Sequence, residues 1–157
     1  MSHKTGIEGL QAAALQAIVE RLRVMFDIGR CTLRMEQPGE TFPVVFEALG
    51  PDVGSLIGEA TVDLRGQPVV RQITEDGTQV VQHDCRTAFD DPAFQRMLDV
   101  YGGLGAQIVT PVHDQTQNLR AIISLHHLDG PRRWTDEETD LAAGAAEMVG
   151  AIAGPGR

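Results

Sequence analysis

Residues 120–138 read RAIISLHHLDGPRRWTDEE, and each part of this stretch has a physical job. Residues 120–128 form an apolar run of strand length that passes through the pair His126-His127 into Asp129-Gly130-Pro131, a break that neither a strand nor a helix continues through. Thr135 with Glu138 three residues later makes a capping box, in which each side chain satisfies an orphan amide of the other residue. A final helix therefore starts here, with Leu141, Ala145, Met148, Val149 and Ile152 as its core-facing stripe. Side chains alternate along a strand, so Ala121, Ile123, Leu125 and His127 share one face while Ile122, Ser124 and His126 share the other. The first face is the more uniformly apolar and is assigned to the terminal helices. Ser124 and His126 are then left to look toward the middle of the chain.

Working outward, residues 106–112 are a second apolar run, joined to 120–128 by the polar loop 113–119; neither alternates cleanly, so the pair reads as a hairpin buried on both faces. Asp91-Pro92 is a helix start, because Asp accepts orphan amide hydrogens and Pro has none to satisfy, and that helix should end at Gly102-Gly103. A short strand is expected from Val80 to Cys85, which would put Val81, His83 and Cys85 on one face. Residues 67–75 are expected as a short helix closed by Asp76-Gly77, and residues 50–66, rich in Gly and Pro, show no period. At the other end, Leu10, Ala14, Leu15, Ile18, Leu22, Met25 and Phe26 recur at spacings of three and four, which predicts an amphipathic helix over 7–26. Residues 31–35 and 42–49 then read as a strand pair turned at Gln37-Pro38-Gly39-Glu40.

The element order is helix, two strands, an irregular middle with short helices and one strand, two strands, helix. It fits an α+β layering: an antiparallel sheet with the N- and C-terminal helices on one face and loops with short helices over the other. At 157 residues the chain is expected to be a single domain, with its core over about 10–152 and a loose tail at 154–157. Its 13 basic and 22 acidic residues leave a formal charge of −9, which disfavours nonspecific binding to nucleic acid or to an anionic membrane. The apolar runs are too short to span a bilayer and the first residues lack the apolar core of a signal peptide, so a cytoplasmic location is the expectation. Cys31 and Cys85 form neither a metal-ligand spacing nor a disulfide framework.

From about Leu10 to Ile152 the chain resembles a GAF domain, through Gly66-Gln67-Pro68-Val69-Val70, Val109-Thr110-Pro111-Val112 and residues 121–138. None of these is a catalytic signature. The resemblance implies a small-molecule-sensing fold whose pocket lies between the sheet and the middle loops and takes cyclic nucleotides, bilins, haem, 2-oxoacids or other small molecules, or a domain that only dimerises. Residues 92–105 contain no cysteine where bilin-binding members attach their chromophore, so a covalently held bilin is not expected. The cyclic-nucleotide motif does not fit around Phe94 to Asp99, and two cysteines do not reproduce the cluster of the methionine sulfoxide reductases.

Candidate ligand contacts are Ser124 and His126 on the last strand, His83 and Cys85 on the short one, and Phe94, Met97, Leu98 and Tyr101 on the middle helix as a mostly apolar wall with one hydroxyl. The expected function is that of a small-molecule-binding sensory or regulatory module with an unidentified small organic ligand. The alternative is an enzyme that uses the same pocket for thiol or His acid/base chemistry. The last helix carries Ala142, Ala143, Gly144, Ala145, Ala146, Gly150 and Ala151, small residues that let another helix approach, and a homodimer through the terminal helices is expected.

Overall fold

The computed structural model describes residues 5–37, 42–57 and 68–153, with side chains from residue 9 onward. The elements are α1 (Thr5–Phe26), β1 (Arg30–Met35), β2 (Val44–Leu49), α2 (Pro68–Arg71) running into a π-helical turn (Gln72–Asp76), β3 (Val80–Gln82), α3 (Cys85–Ala88), α4 (Pro92–Val100), β4 (Leu104–His113), β5 (Leu119–Leu128) and α5 (Asp136–Ala153). The strands form one antiparallel sheet in the order β2-β1-β5-β4-β3. The last strand in the sequence thus lies at the centre, because β5 pairs with β1 on one side and with β4 on the other.

Each face of the sheet has its own core. On one face α1 and α5 pack through Leu15, Val19, Leu22, Phe26, Ala142, Ala145 and Val149 onto Cys31, Leu33, Ala121, Ile123 and Leu125. On the other, α2, α3, α4 and the 50–57 segment pack through Leu56, Val69, Ile73, Phe94 and Leu98 onto Val80, Leu104, Val109 and Ile122. The alternation read along β5 therefore divides its apolar side chains between the two cores. No helix among the described residues is long and apolar enough to cross a membrane.

The caps form as their residue types dictate. Asp91 accepts from Phe94 N at 2.9 Å at the head of α4. Thr135 N donates to Glu138 Oε1 at 2.9 Å, while Glu138 N donates to Thr135 Oγ1 at 3.1 Å. Glu138 also pairs with Arg132 at 2.7 Å, and the Arg132 guanidinium lies over the Trp134 ring. Trp134 is buried, its indole N–H donating to Gln82 O and its backbone amide to His83 Nδ1. The start of α5 is thereby tied to the end of β3.

Three expectations need correction. The short strand ends at Gln82, because Asp84 caps a new helix by accepting from Arg86 N and Cys85 is already its first residue. Val81, His83 and Cys85 therefore do not share a strand face; short Asp side chains draw the backbone away from the ladder in this way. Leu141 and Met148 do not face the core but are 43% and 56% exposed, because α5 turns its small Ala142, Ala145 and Ala146 toward the sheet and lets the backbone approach. Leu10 and Met25 of α1 are exposed as well. Residues 38–40 of the expected turn, the 58–66 part of the irregular middle, Gln67 of the expected short helix and the tail at 154–157 lie outside the described residues.

The glycine in Asp129-Gly130-Pro131 meets a second one. A Cβ built on Gly105 would lie 1.9 Å from Gly130 O, so the head of β4 and the turn after β5 approach backbone to backbone. Backbone cannot rotate aside, unlike a side chain. Gly105→Ala should therefore lose about 3 kcal/mol in urea unfolding, whereas Gly9→Ala, in open space on α1, should gain up to about 1 kcal/mol. Equal stability of the two variants would contradict this close approach.

Candidate ligand cavity

Residues opposite one another in antiparallel strands share a face. On the face covered by α2 and α4, one row crosses four strands as Arg30, His126, Gln107 and Gln82, and the next crosses as Thr32, Ser124, Val109 and Val80. Arg30, Thr32, Gln82, Gln107, Ser124 and His126 are all buried. A polar band in the middle of a core is expensive unless its groups are paired. Part of it is: Gln107 Nε2 donates to Gln82 Oε1 at 2.8 Å, and Arg30 Nη1 donates to Tyr101 O at 3.0 Å.

Over the band lies a cavity of about 50 Å³, with Thr32, Arg34, Gln107, Ser124 and His126 along the sheet and Val69, Val70, Met97 and Tyr101 from the helical side. Arg34 Nη1 donates to Phe42 O at 2.8 Å and Nη2 to the Tyr101 hydroxyl at 2.7 Å, so the cation is anchored at the cavity wall. The Tyr101 ring stacks on His126, with centroids 5.5 Å apart and planes 21° from parallel.

His126 is the best-defined group in the site. Arg30 Nη1 lies 3.1 Å from its Nδ1. A guanidinium only donates, so Nδ1 must accept and the ring proton sits on Nε2. Burial, then the charges of Arg30 and Arg34, hold the pKa well below the usual imidazole range, which keeps the ring neutral. Among the described residues the Nε2–H, the Ser124 hydroxyl and the Thr32 hydroxyl have no protein partner. A buried donor left unpaired costs about 1–3 kcal/mol, so three such groups at one cavity mark a place for a polar guest.

The other candidates are dispersed. Met97, Tyr101, Ser124 and His126 line the cavity. Phe94 and Leu98 are wholly buried in the core behind it. Cys85 lies further along the polar row, where its Sγ donates to Gln82 Oε1 at 3.4 Å; burial, with Asp84 adding, pushes its thiol up to about 12. It is held as a thiol, not a thiolate. His83 is exposed and serves Trp134 instead. Arg30, Thr32 and Arg34 are absent from the sequence-based set, although residues 30–35, RCTLRM, alternate polar with apolar and yield them to the parity argument applied to β5. Gln82 and Gln107 carry no such signal.

The described residues thus form an α+β domain with long helices on one face of the sheet and a small buried polar cavity under short helices on the other. The GAF domain family model matches residues 12–152, and the chain belongs to that family. No curated protein matches the sequence. Among solved structures, the blue-light-absorbing form of the Thermosynechococcus elongatus PixJ GAF domain is 20% identical with a TM-score of 0.74, covering 90% of this chain and 86% of that one. The photoproduct state of GAF3 from Slr1393 of Synechocystis sp. PCC6803 is 18% identical with a TM-score of 0.73, covering 91% and 92%. The far-red-absorbing dark state of JSC1_58120g3, described with bound biliverdin IXα, is 15% identical with a TM-score of 0.71, covering 86% and 84%. The fold is thus that of cyanobacteriochrome photosensor domains. This corrects the expectation drawn from residues 92–105: a fold shared with a biliverdin-bound domain removes the ground for setting bilins aside on the missing cysteine alone.

The neutral His126 has a measurable consequence. Unfolded, the ring binds a proton below about pH 6.5; folded, it does not, so the unfolded state holds more protons and stability falls as pH drops below that value. His127, also lowered, first by burial, adds in the same direction. Between about pH 6.5 and 5 the wild type should lose stability more steeply than His126→Gln, by up to about 1.4 kcal/mol per pH unit. Parallel curves from denaturant unfolding would contradict the assignment.

Proposed function

We propose that this chain is a small-molecule-binding sensory domain whose ligand occupies the cavity between the sheet and α2 and α4. The observation that carries this reading is the convergence of the His126 Nε2–H and the Ser124 and Thr32 hydroxyls, buried and without protein partners among the described residues, on one cavity. Ligand contacts there favour one arrangement of the overlying segments, which shifts the population of that arrangement. The polar row leads on through Gln107 and Gln82 to Trp134, so the same bias reaches the start of α5.

The output surface in this reading is the α1/α5 face. Met25, Leu141 and Met148 are exposed there, beside Ile18 and Gly144, in a trough that also holds Arg21, Glu137 and Asp140. Contiguous exposed apolar surface of this kind marks an interaction site. The trough carries both an apolar floor and charges of both signs, the composition a self-complementary twofold interface needs, and a homodimer through this face is part of the reading. Leu141→Glu with Met148→Glu should then convert a dimer into a monomer in sedimentation velocity. A wild type that is monomeric at every concentration would remove this surface as the interface.

Native and then denaturing mass spectrometry of the full chain, with an absorption spectrum of the same sample, tests the ligand reading. A small-molecule mass should be retained by the wild type and lost in Ser124→Leu, whose longer side chain fills the cavity. An empty wild type, with a melting temperature that responds identically to added small molecules in both proteins, would contradict it.

A further inference from the structure

The chemistry around the cavity narrows what belongs in it. Arg30 is 2% exposed and spends its donors on neutral acceptors: Gly54 O from both Nε and Nη2, Tyr101 O and His126 Nδ1. Glu47 is near enough to be felt, but its carboxylate accepts from Ser55 Oγ and Leu56 N, not from Arg30. Among the described residues no carboxylate lines the cavity. His126 offers a donor that cannot become an acceptor while Arg30 holds Nδ1. Two hydroxyls stand on the neighbouring cross-strand row.

A single carbonyl oxygen has two lone pairs and cannot serve three separate donors, whereas a carboxylate has about four acceptor sites. A negative charge is also what the buried Arg30 guanidinium favours, since its hydrogen bonds go to neutral acceptors only. The opposite wall is hydrocarbon, from Val69, Val70 and Met97. A volume of about 50 Å³ holds roughly four water-sized positions, which limits the guest to a few heavy atoms.

Resting on the sensory reading above, we infer that the cavity takes a short aliphatic carboxylate, its oxygens on His126 Nε2–H and the hydroxyls of Ser124 and Thr32, its hydrocarbon end against Val69, Val70 and Met97. The amide of the same acid has the same shape but lacks the charge and brings donors where the site already has them. An amine of that size is repelled.

Isothermal titration of the full chain with propionate, propionamide and propylammonium at about neutral pH tests this. Propionate should bind at least roughly ten-fold more tightly than propionamide, and propylammonium should not bind. Ser124→Ala and Thr32→Val each delete one hydroxyl with little change in volume; each should weaken propionate by roughly three- to ten-fold while the melting temperature of the free protein does not fall. Equal affinity for acid and amide, or preference for the amine, would overturn the carboxylate class and leave the sensory reading in place. Silence toward all three, with a neutral or cationic mass retained in the native spectrum, would overturn it too; a retained carboxylic acid lost in both hydroxyl variants would support it. An empty protein indifferent to all three removes both readings.

Discussion

The guanidinium of Arg30 is the constraint on which the site depends. Removing a cation from water costs several kcal/mol, and here the cost is offset by hydrogen bonds that lead in three directions: to Gly54 in the segment after β2, to the carbonyl of Tyr101 at the end of α4, and to His126 on the central strand. Each bond also positions something. The Tyr101 carbonyl fixes the end of α4, so its ring lies on His126 and its hydroxyl meets Arg34. The bond to Nδ1 decides which imidazole nitrogen carries the proton. A change at Arg30 would thus alter the protonation of a residue on another strand.

The cavity sits on the same sheet that anchors the terminal helices, and the two sides of that sheet are chemically unlike. One is aliphatic and filled by α1 and α5; the other carries the polar rows. A sheet with a dry face toward the helices and a polar face toward short, capped segments lets the second change its contacts without unfolding the first. Gln82 stands where the sides meet, its side chain in the polar row and its carbonyl on the indole of Trp134. The buried tryptophan at the head of α5 is therefore in contact with both the helix and the edge of the ligand face.

How much of this could be read from residues alone depended on whether the signal was local. The α5 capping box, the Asp91-Pro92 start of α4 and the two-faced character of β5 are local patterns, and each is present in the fold. The end of β3 is not legible locally, because Asp84 can continue a strand or cap a helix and tertiary context makes the choice. Hydrophobicity alone points Leu141 and Met148 inward, whereas α5 packs by its alanines and presents its larger side chains outside. In the site, Ser124 and His126 were legible from parity. Arg30, Thr32 and Arg34 share one face of β1 by the same parity, but that this face is covered follows only from the pairing of β1 beside β5.

The protonation state of His126 is the point through which the fold, the electrostatics and the recognition chemistry all pass. Nitrogen-15 NMR of the imidazole in the full chain, recorded from about pH 7 down to pH 5, reads it directly. The expected result is a neutral ring throughout, with Nε2 protonated and Nδ1 bare. An imidazolium in that range, or a proton on Nδ1, would contradict the Arg30 lock and with it the orientation of the cavity's fixed donor.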